Sequence, residues 1–209
     1  MVMSLPLLVL GAALAAAAIL LAITLVLWFR LRAKLSETRQ ALEETAVTDA
    51  LTGIPNHKHL LSRFEEEFQK CRRYKGGVGC VLIDIDHFKR INAVHGHHAG
   101  DRVLRKLAKL VKSSIRSYDV LGRYGDEEFL ALVPGADIIQ AAAFAERIRV
   151  MAGTRVFIES ERIPGKAIST SLGVTVWRPD DVNTDAILKR ANEALTLAIR
   201  AGGNRVEKL

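Results

Sequence analysis

RYGDEEFLALV, residues 123–133, places a glycine and three consecutive acids, Asp126, Glu127 and Glu128, directly before an apolar run. The run from Phe129 has the composition of a strand, and Gly125 ahead of it predicts a hairpin. GVGCVLIDID, residues 77–86, is a second apolar run of strand type, and it ends in Asp84 and Asp86. Carboxylates gathered at strand ends are costly to desolvate unless a cation neutralises them. Hard oxygen donors of this kind suit Mg²⁺ held together with substrate phosphates. The alternative is that both groups are solvated strand termini. Spacing leaves the two readings open, because it does not say whether the strands are neighbours.

Working outward, helix and strand patterns alternate. HLLSRFEEEFQKC, residues 59–71, carries Leu60, Leu61, Phe64, Phe68 and Cys71 at helical spacing. Residues 100–116 are amphipathic, with Val103, Leu104, Leu107, Leu110 and Val111 on one face. Helices are predicted over about 137–151 and 184–200, with two strand-like stretches between them that end in AISTSLGVTVW, residues 167–177. This order predicts an α/β sandwich with helices packed on a single sheet.

The 209 residues are 49% hydrophobic, and the excess is concentrated at one end. Leu5–Phe29 contains no charged residue. At about 1.5 Å per residue it spans the roughly 30 Å hydrocarbon layer as one transmembrane helix. A cleaved signal peptide is the competing reading, but Met1–Ser4 has no basic side chain and the apolar run is too long for one. Arg30, Arg32 and Lys34 follow the span, so the positive-inside bias puts what comes after it in the cytoplasm.

Residues 30–48 have helix-forming composition, with Leu31, Leu35, Thr38 and Leu42 at alternating spacings of four and three. That seam suits either pairing with a second copy or packing on the chain's own domain. Gly53 and Pro55 break the pattern and place a domain boundary near Asp49. The organisation expected is therefore a transmembrane helix over 1–29, a signalling helix over 30–48 and a globular domain over 49–209. The net charge of +7 is interspersed with acids, which argues against a nucleic acid polymer as partner. Cys71 and Cys80 show no metal-type pairing and are expected as free thiols.

DALTGIPN (49–56), DIDHFKRINAVHGHHAGD (84–101), RYGDEEF (123–129), STSLGV (169–174) and GGNRV (202–206), in this order and spacing, resemble the GGDEF domain of diguanylate cyclases. The resemblance implies a palm-like fold of the nucleotidyl cyclase type, with a mainly antiparallel central sheet and surrounding helices. It implies the condensation of two GTP into cyclic di-GMP and two pyrophosphates by a homodimer. Together with the uncharged run Leu5–Phe29 and the basic residues after it, a bacterial inner membrane location is expected, with the domain in the cytoplasm.

Carried over by position, Asp84, Glu127 and Glu128 are the catalytic carboxylates. The same three, with the backbone carbonyl of Ile85, are the ligands of Mg²⁺ or Mn²⁺. Lys89, Asn92, Asp101, Arg123 and Gly125 fall at GTP-binding positions, with Asn92 and Asp101 reading guanine. His97 fits the family pattern too, which argues against zinc on His95, His97 and His98. Arg116 and Asp119 have the spacing of the family's RxxD product-inhibition site, and Arg147 is a further candidate for it. An Arg can grip guanine O6 and N7 while an Asp accepts from the opposite edge.

Five positions depart from the family pattern, one of them Ala93, where an Asp is common. Asp126 stands where the second glycine is usual, a substitution that a type II′ turn with Gly125 first would tolerate. Thr196, Ile199 and Gly203 replace a Tyr, a Lys and an Arg in the last helix and its exit. The Lys and Arg normally hold triphosphate oxygens, at about 1.5–3 kcal/mol for each charge-assisted hydrogen bond. Arg200 and Arg205 are the nearest substitutes. Two functions therefore follow from the resemblance: a diguanylate cyclase, or a catalytically inactive domain that acts as a receptor for cyclic di-GMP at the RxxD site or for GTP.

Overall fold

The computed structural model describes residues 14, 20–21, 24–35, 46–158 and 166–209. The chain divides into two compact units, Met1–Ala46 and Val47–Leu209. Residues 24–35 of the first unit are helical, with Leu31 and Leu35 exposed. Most of the expected transmembrane run lies outside the described residues, as do Thr38 and Leu42 of the seam. Among the described residues no helix is long and apolar enough to cross a membrane, so that span is not supported here.

The second unit begins with α1 (His57–Tyr74), β1 (Val78–Ile85), α2 (Phe88–His95) and α3 (His97–Ser114). The hairpin β2 (Val120–Arg123) and β3 (Glu128–Pro134) comes next, then α4 (Ile138–Arg155). Two short strands, β4 (Phe157–Ile158) and β5 (Lys166–Ala167), pair only with each other. The unit closes with β6 (Thr170–Val176), α5 (Thr184–Arg200) and β7 (Val206–Lys208). The main sheet has the order β2-β3-β1-β6-β7. Its pairings are antiparallel except for β6 with β7, which run parallel.

β1 shows why its apolar run is unbroken. Successive side chains on a strand point to opposite faces. Val78, Cys80 and Leu82 pack with Leu60, Phe64 and Phe68 of α1 and Ile187 and Leu195 of α5. Val81, Ile83 and Ile85 join the other core, with Val103 and Leu107 of α3 and Ile148 of α4. A central strand with both faces covered has no solvent side on which to place polar residues.

Local chemistry sets the helix starts. Asn56 accepts from the His59 backbone N–H, and Asn183 accepts from that of Ala186. Asp137 and Gln140 form a reciprocal capping box.

Two expectations change. The short helix α2 has no counterpart in the sequence reading, because with only Phe88 and Ile91 buried its periodicity is too brief to register. The β2–β3 connection is not a type II′ turn. Neither Gly125 nor Asp126 has a positive φ, and the backbone N–H groups of Tyr124 and Gly125 both donate to the Glu128 carbonyl. The wider loop places Asp126 in ordinary backbone, so the residue costs the fold nothing in conformation.

Candidate active site

The β1–β3 register sets Asp84 directly opposite Glu128. Residues paired across an antiparallel ladder stand about 4.5–5.5 Å apart at Cβ, and like charges so placed repel. Burial, then the charges of Glu128, Glu127 and Asp86, push the Asp84 carboxyl from its ordinary 3.8 to about 7. Burial also raises Glu128, helped by Glu127 and Asp126. Gly125 lies beneath this pair: a Cβ there would stand 2.6 Å from Glu128 Oε2. A larger residue there would make the Glu128 carboxylate swing aside.

An acid raised on folding binds its proton more tightly in the native state, so its contribution to stability is complete below the unfolded value and fades as pH rises through the folded one. The metal-free domain is accordingly expected to lose thermal stability between about pH 4 and about pH 7. A divalent cation should flatten that loss, because it compensates the ionised pair. Differential scanning calorimetry with and without chelator reads both effects, and a midpoint indifferent to pH would contradict the arrangement.

The expected three-carboxylate metal set is not assembled by side chains alone. Among the described residues no three His, Cys, Asp or Glu side chains converge closely enough to hold a metal ion. Asp84 and Glu128 are paired across the ladder, whereas Glu127 precedes the first residue of β3. Two carboxylates beside a backbone carbonyl still fit Mg²⁺, which is held by one or two carboxylates, waters and substrate phosphates and seldom by an all-protein cage.

Arg123, expected at a GTP-binding position, is turned inward instead. Its Nη1 donates to both Asp49 carboxylate oxygens, at 3.1 and 3.0 Å. Nε and Nη2 donate to the carbonyls of Gly125 and Asp126, at 3.2 and 2.9 Å. Burial alone would raise Asp49, but hydrogen bonds from Thr52 and the Arg123 charge outweigh it and hold the carboxyl below its ordinary value. Arg123 thus braces the acidic loop against the start of the domain. Asp49, which opens the DALTGIPN motif and marks the expected domain boundary, is thereby a neighbour of the acidic loop.

Beyond β1, His87 takes a left-handed conformation, φ 58°, and turns the chain sharply into α2. Lys89 is exposed on α2, Asn92 is half-buried, and Asp101 lies in the first part of α3. Asn92 Oδ1 is buried without a partner. A Cβ on Gly100 would stand 2.0 Å from that same oxygen, so a glycine at this position makes room for the amide.

Asp86 points elsewhere. It accepts from Ser171 Oγ at 2.6 Å and from the Asn204 backbone N–H at 2.9 Å, tying β1 to the exit of α5. Gly203 in that exit has φ +73°, and a Cβ there would meet Asp86 Oδ1 at 2.9 Å. The backbone is therefore shaped for glycine where the family pattern has arginine. Ile199 is 48% exposed. Arg205 lies 3.9 Å from Glu207.

Arg116, Asp119 and Arg147 line one cavity of about 330 Å³, between the end of β3 and α4. The backbone N–H of Arg116 donates to Asp119 Oδ2 at 2.8 Å, while Asp119 Oδ1 is buried with no partner. Arg147 is anchored by a 3.0 Å bond from Nη2 to the Ser114 carbonyl and lies over the Phe144 ring. The three residues that the resemblance puts forward for a product-inhibition site line this one cavity, with an unused acceptor among them.

Residues 46–205 match the family model described as diguanylate cyclase, GGDEF domain. The chain is a member of the GGDEF family. This GGDEF domain is 36% identical over 165 residues to the diguanylate cyclase DgcP of Pseudomonas aeruginosa, covering 78% of this chain and 24% of that protein. It is 35% identical over 163 residues to the response regulator PleD of Caulobacter vibrioides, covering 78% of this chain and 36% of that protein. The chain thus spans well under half the length of either relative.

Among solved structures it is similar to the GGDEF domain of DgcB from Caulobacter crescentus in complex with c-di-GMP. The TM-score is 0.74 and the identity 29%, covering 78% of this chain and 92% of that one. It is also similar to the diguanylate cyclase SiaD from Pseudomonas aeruginosa in complex with its activator SiaC. There the TM-score is 0.74 and the identity 30%, covering 97% of this chain and 76% of that one.

Proposed function

We propose that this chain is a cyclic di-GMP signalling protein of the diguanylate cyclase type, which joins two GTP into cyclic di-GMP with release of two pyrophosphates. The observation that carries the proposal is Asp84 facing Glu128 across β1 and β3, a pair whose charge is uncompensated until a cation arrives. Asp84, Glu128 and the Ile85 carbonyl would hold the ion, with Glu127 beside them. Mg²⁺ or Mn²⁺ there supplies activation of a ribose 3′-hydroxyl and neutralisation of charge on the α-phosphate and the leaving pyrophosphate.

Within the domain, Asn92 and Asp101 read the guanine edge, Lys89 neutralises phosphate, and Arg123 fixes the loop that carries Glu127 and Glu128. Each domain presents one such site and the product incorporates two nucleotides, so two copies act face to face. The exposed Leu31 and Leu35 support an association of the preceding helices. The uncharged run Leu5–Phe29, whose described residues Leu25–Phe29 are exposed, supports anchorage in the bacterial inner membrane with the domain in the cytoplasm.

The direct test incubates the full chain in detergent with GTP and Mg²⁺ or Mn²⁺, then separates cyclic di-GMP and pyrophosphate by chromatography. Absence of both products sinks the cyclase reading. A finer check uses Gly100→Ala, whose new methyl displaces the Asn92 amide. Nucleotide affinity is expected to fall about tenfold, with a smaller loss of stability because the methyl also stands 3.0 Å from the Phe88 ring. Isothermal titration with GTP and a melting curve measure the two separately.

A receptor reading is favoured by a separate observation, the cavity that gathers Arg116, Asp119 and Arg147 around an unused carboxylate oxygen. The losses at Ile199 and Gly203 and the added charge of Asp126 bear on catalysis and leave this cavity untouched. Arg116→Ala is expected to weaken cyclic di-GMP binding by about a hundredfold, in keeping with roughly 1.5–3 kcal/mol for a charge-assisted contact. An unchanged dissociation constant would remove the cavity from consideration.

A further inference from the structure

STSLGV (169–174) and GGNRV (202–206) supply no member of the carboxylate pair, yet both converge on Asp86. Asp86 follows β1 directly, two residues beyond Asp84, and residues at that spacing on an extended strand share a face. Burial first, then Glu128 and Glu127, and last Asp86 raise the Asp84 carboxyl, so Asp86 stands within electrostatic reach of the pair. Even so, among the described residues no three acidic side chains converge to form a metal-binding group.

Both Asp86 oxygens are engaged elsewhere. Ser171 is buried in β6 opposite Asp84, and its hydroxyl donates diagonally to Asp86 Oδ1 at 2.6 Å. The Asn204 backbone N–H donates to Oδ2 at 2.9 Å. Asn204 ends a run of three left-handed residues, with φ of 108° at Gly202, 73° at Gly203 and 50° at Asn204. Asparagine takes that conformation more readily than most side chains. Its Oδ1 accepts from Arg149 Nη1 of α4 at 2.8 Å. The rest of that guanidinium, Nε and Nη2, is fixed on Glu146 at 2.9 and 2.6 Å. A planar fork gripped on both sides holds direction as well as distance.

We propose that Ser171, Asn204 and Arg149 are positioning residues that keep Asp86 off the cation and so set which cation the Asp84–Glu128 pair accepts. This role rests on the cation-binding reading of that pair. Mg²⁺ demands strict octahedral geometry and is held by one or two carboxylates with waters and phosphates, whereas Ca²⁺ takes more oxygens in a flexible shell. With Asp86 latched, the pair suits the smaller ion. Released, Asp86 adds a further carboxylate and moves the preference toward the larger one.

The test follows Mn²⁺ binding to the full chain in detergent, without nucleotide, by electron paramagnetic resonance, with Mg²⁺ or Ca²⁺ as competitor. Ser171→Ala is expected to raise the affinity for Ca²⁺ relative to Mg²⁺ by about tenfold, and Arg149→Ala by several-fold in the same direction. Adding Asp86→Asn to either variant should restore the original ratio, a reversal that general loosening of the fold would not produce. Arg149→Ala, a change to the best helix former, carries the test on its own should Ser171→Ala fail to fold. An unchanged ratio in the folded variants, or a shifted ratio that survives Asp86→Asn, overturns the role. An unmodified chain that binds no Mn²⁺ overturns the cation-binding reading itself, and this role with it.

Discussion

Glu128→Gln is expected to abolish cyclic di-GMP synthesis and, in the same molecule, to raise the melting temperature of the metal-free domain at about pH 8. Both effects follow from the β1–β3 register. Burial and then the Glu128 charge keep the Asp84 carboxyl near 7, so above that pH the fold carries a strained, ionised pair. An uncharged amide removes the largest of the three like charges acting on Asp84 and lets it ionise at lower cost. Well below pH 7 the Asp84 carboxyl is protonated, the like-charge opposition is gone and the gain should vanish.

Catalysis loses a ligand to the cation that stabilises transferring phosphoryl charge, an effect of several kcal/mol and so about a hundredfold or more in rate. A melting temperature that drops at the higher pH would mean that the pair is compensated by groups other than a cation. Full synthesis by the variant would remove Glu128 from the reaction.

Gly173→Ala should cripple folding although the residue lies away from any chemistry. β6 passes so close to α5 that a Cβ at this position would stand 2.1 Å from the Ala191 carbonyl oxygen and 2.3 Å from the Leu195 nitrogen. These are backbone atoms of a helix and cannot rotate aside, so strand and helix must separate. Overpacking of this kind costs about 3 kcal/mol or more, a large part of a total stability of roughly 5–15 kcal/mol. The melting temperature is expected to fall by roughly 6–12 °C. Gly76→Ala, where nothing lies within 4 Å, is the matched control and should be neutral. Equal stability of the two variants would show that the β6–α5 contact is looser than the geometry indicates.

The parts of this molecule legible in its sequence are those written in short-range patterns. β1 was readable as an apolar run ending in acids, and α5 as a periodic helix with matching bounds, because both signals repeat within a few residues. Whether Asp84 meets Glu128 depends on the pairing of strands more than forty residues apart, and no local feature encodes it. Arg123 illustrates a different limit. A conspicuous cation beside a phosphate-type motif reads as a ligand group, and only the fold shows Asp49 in reach of it.

The hairpin turn was misread for a related reason. Glycine suggests a positive φ by default, whereas here its φ is not positive and the Glu128 carboxylate leans over it. By contrast, the spacing of Arg116 and Asp119 pointed to a place that the fold completes with Arg147 from another helix.

The Asp49–Arg123 pair also bears on how this domain can be cut and transplanted. Residues 47–49 fold back on residues 54–56, through a bridge between Thr48 and Pro55 and a bond from the Asn56 N–H to the Val47 carbonyl. Their register therefore reaches the acidic loop through a single guanidinium. A fragment trimmed past Asp49 keeps every carboxylate of the site yet loses the strut that aims them. A chimera that grafts this domain onto a foreign input module must join upstream of Val47, or the graft will fold with its reactive edge unmoored.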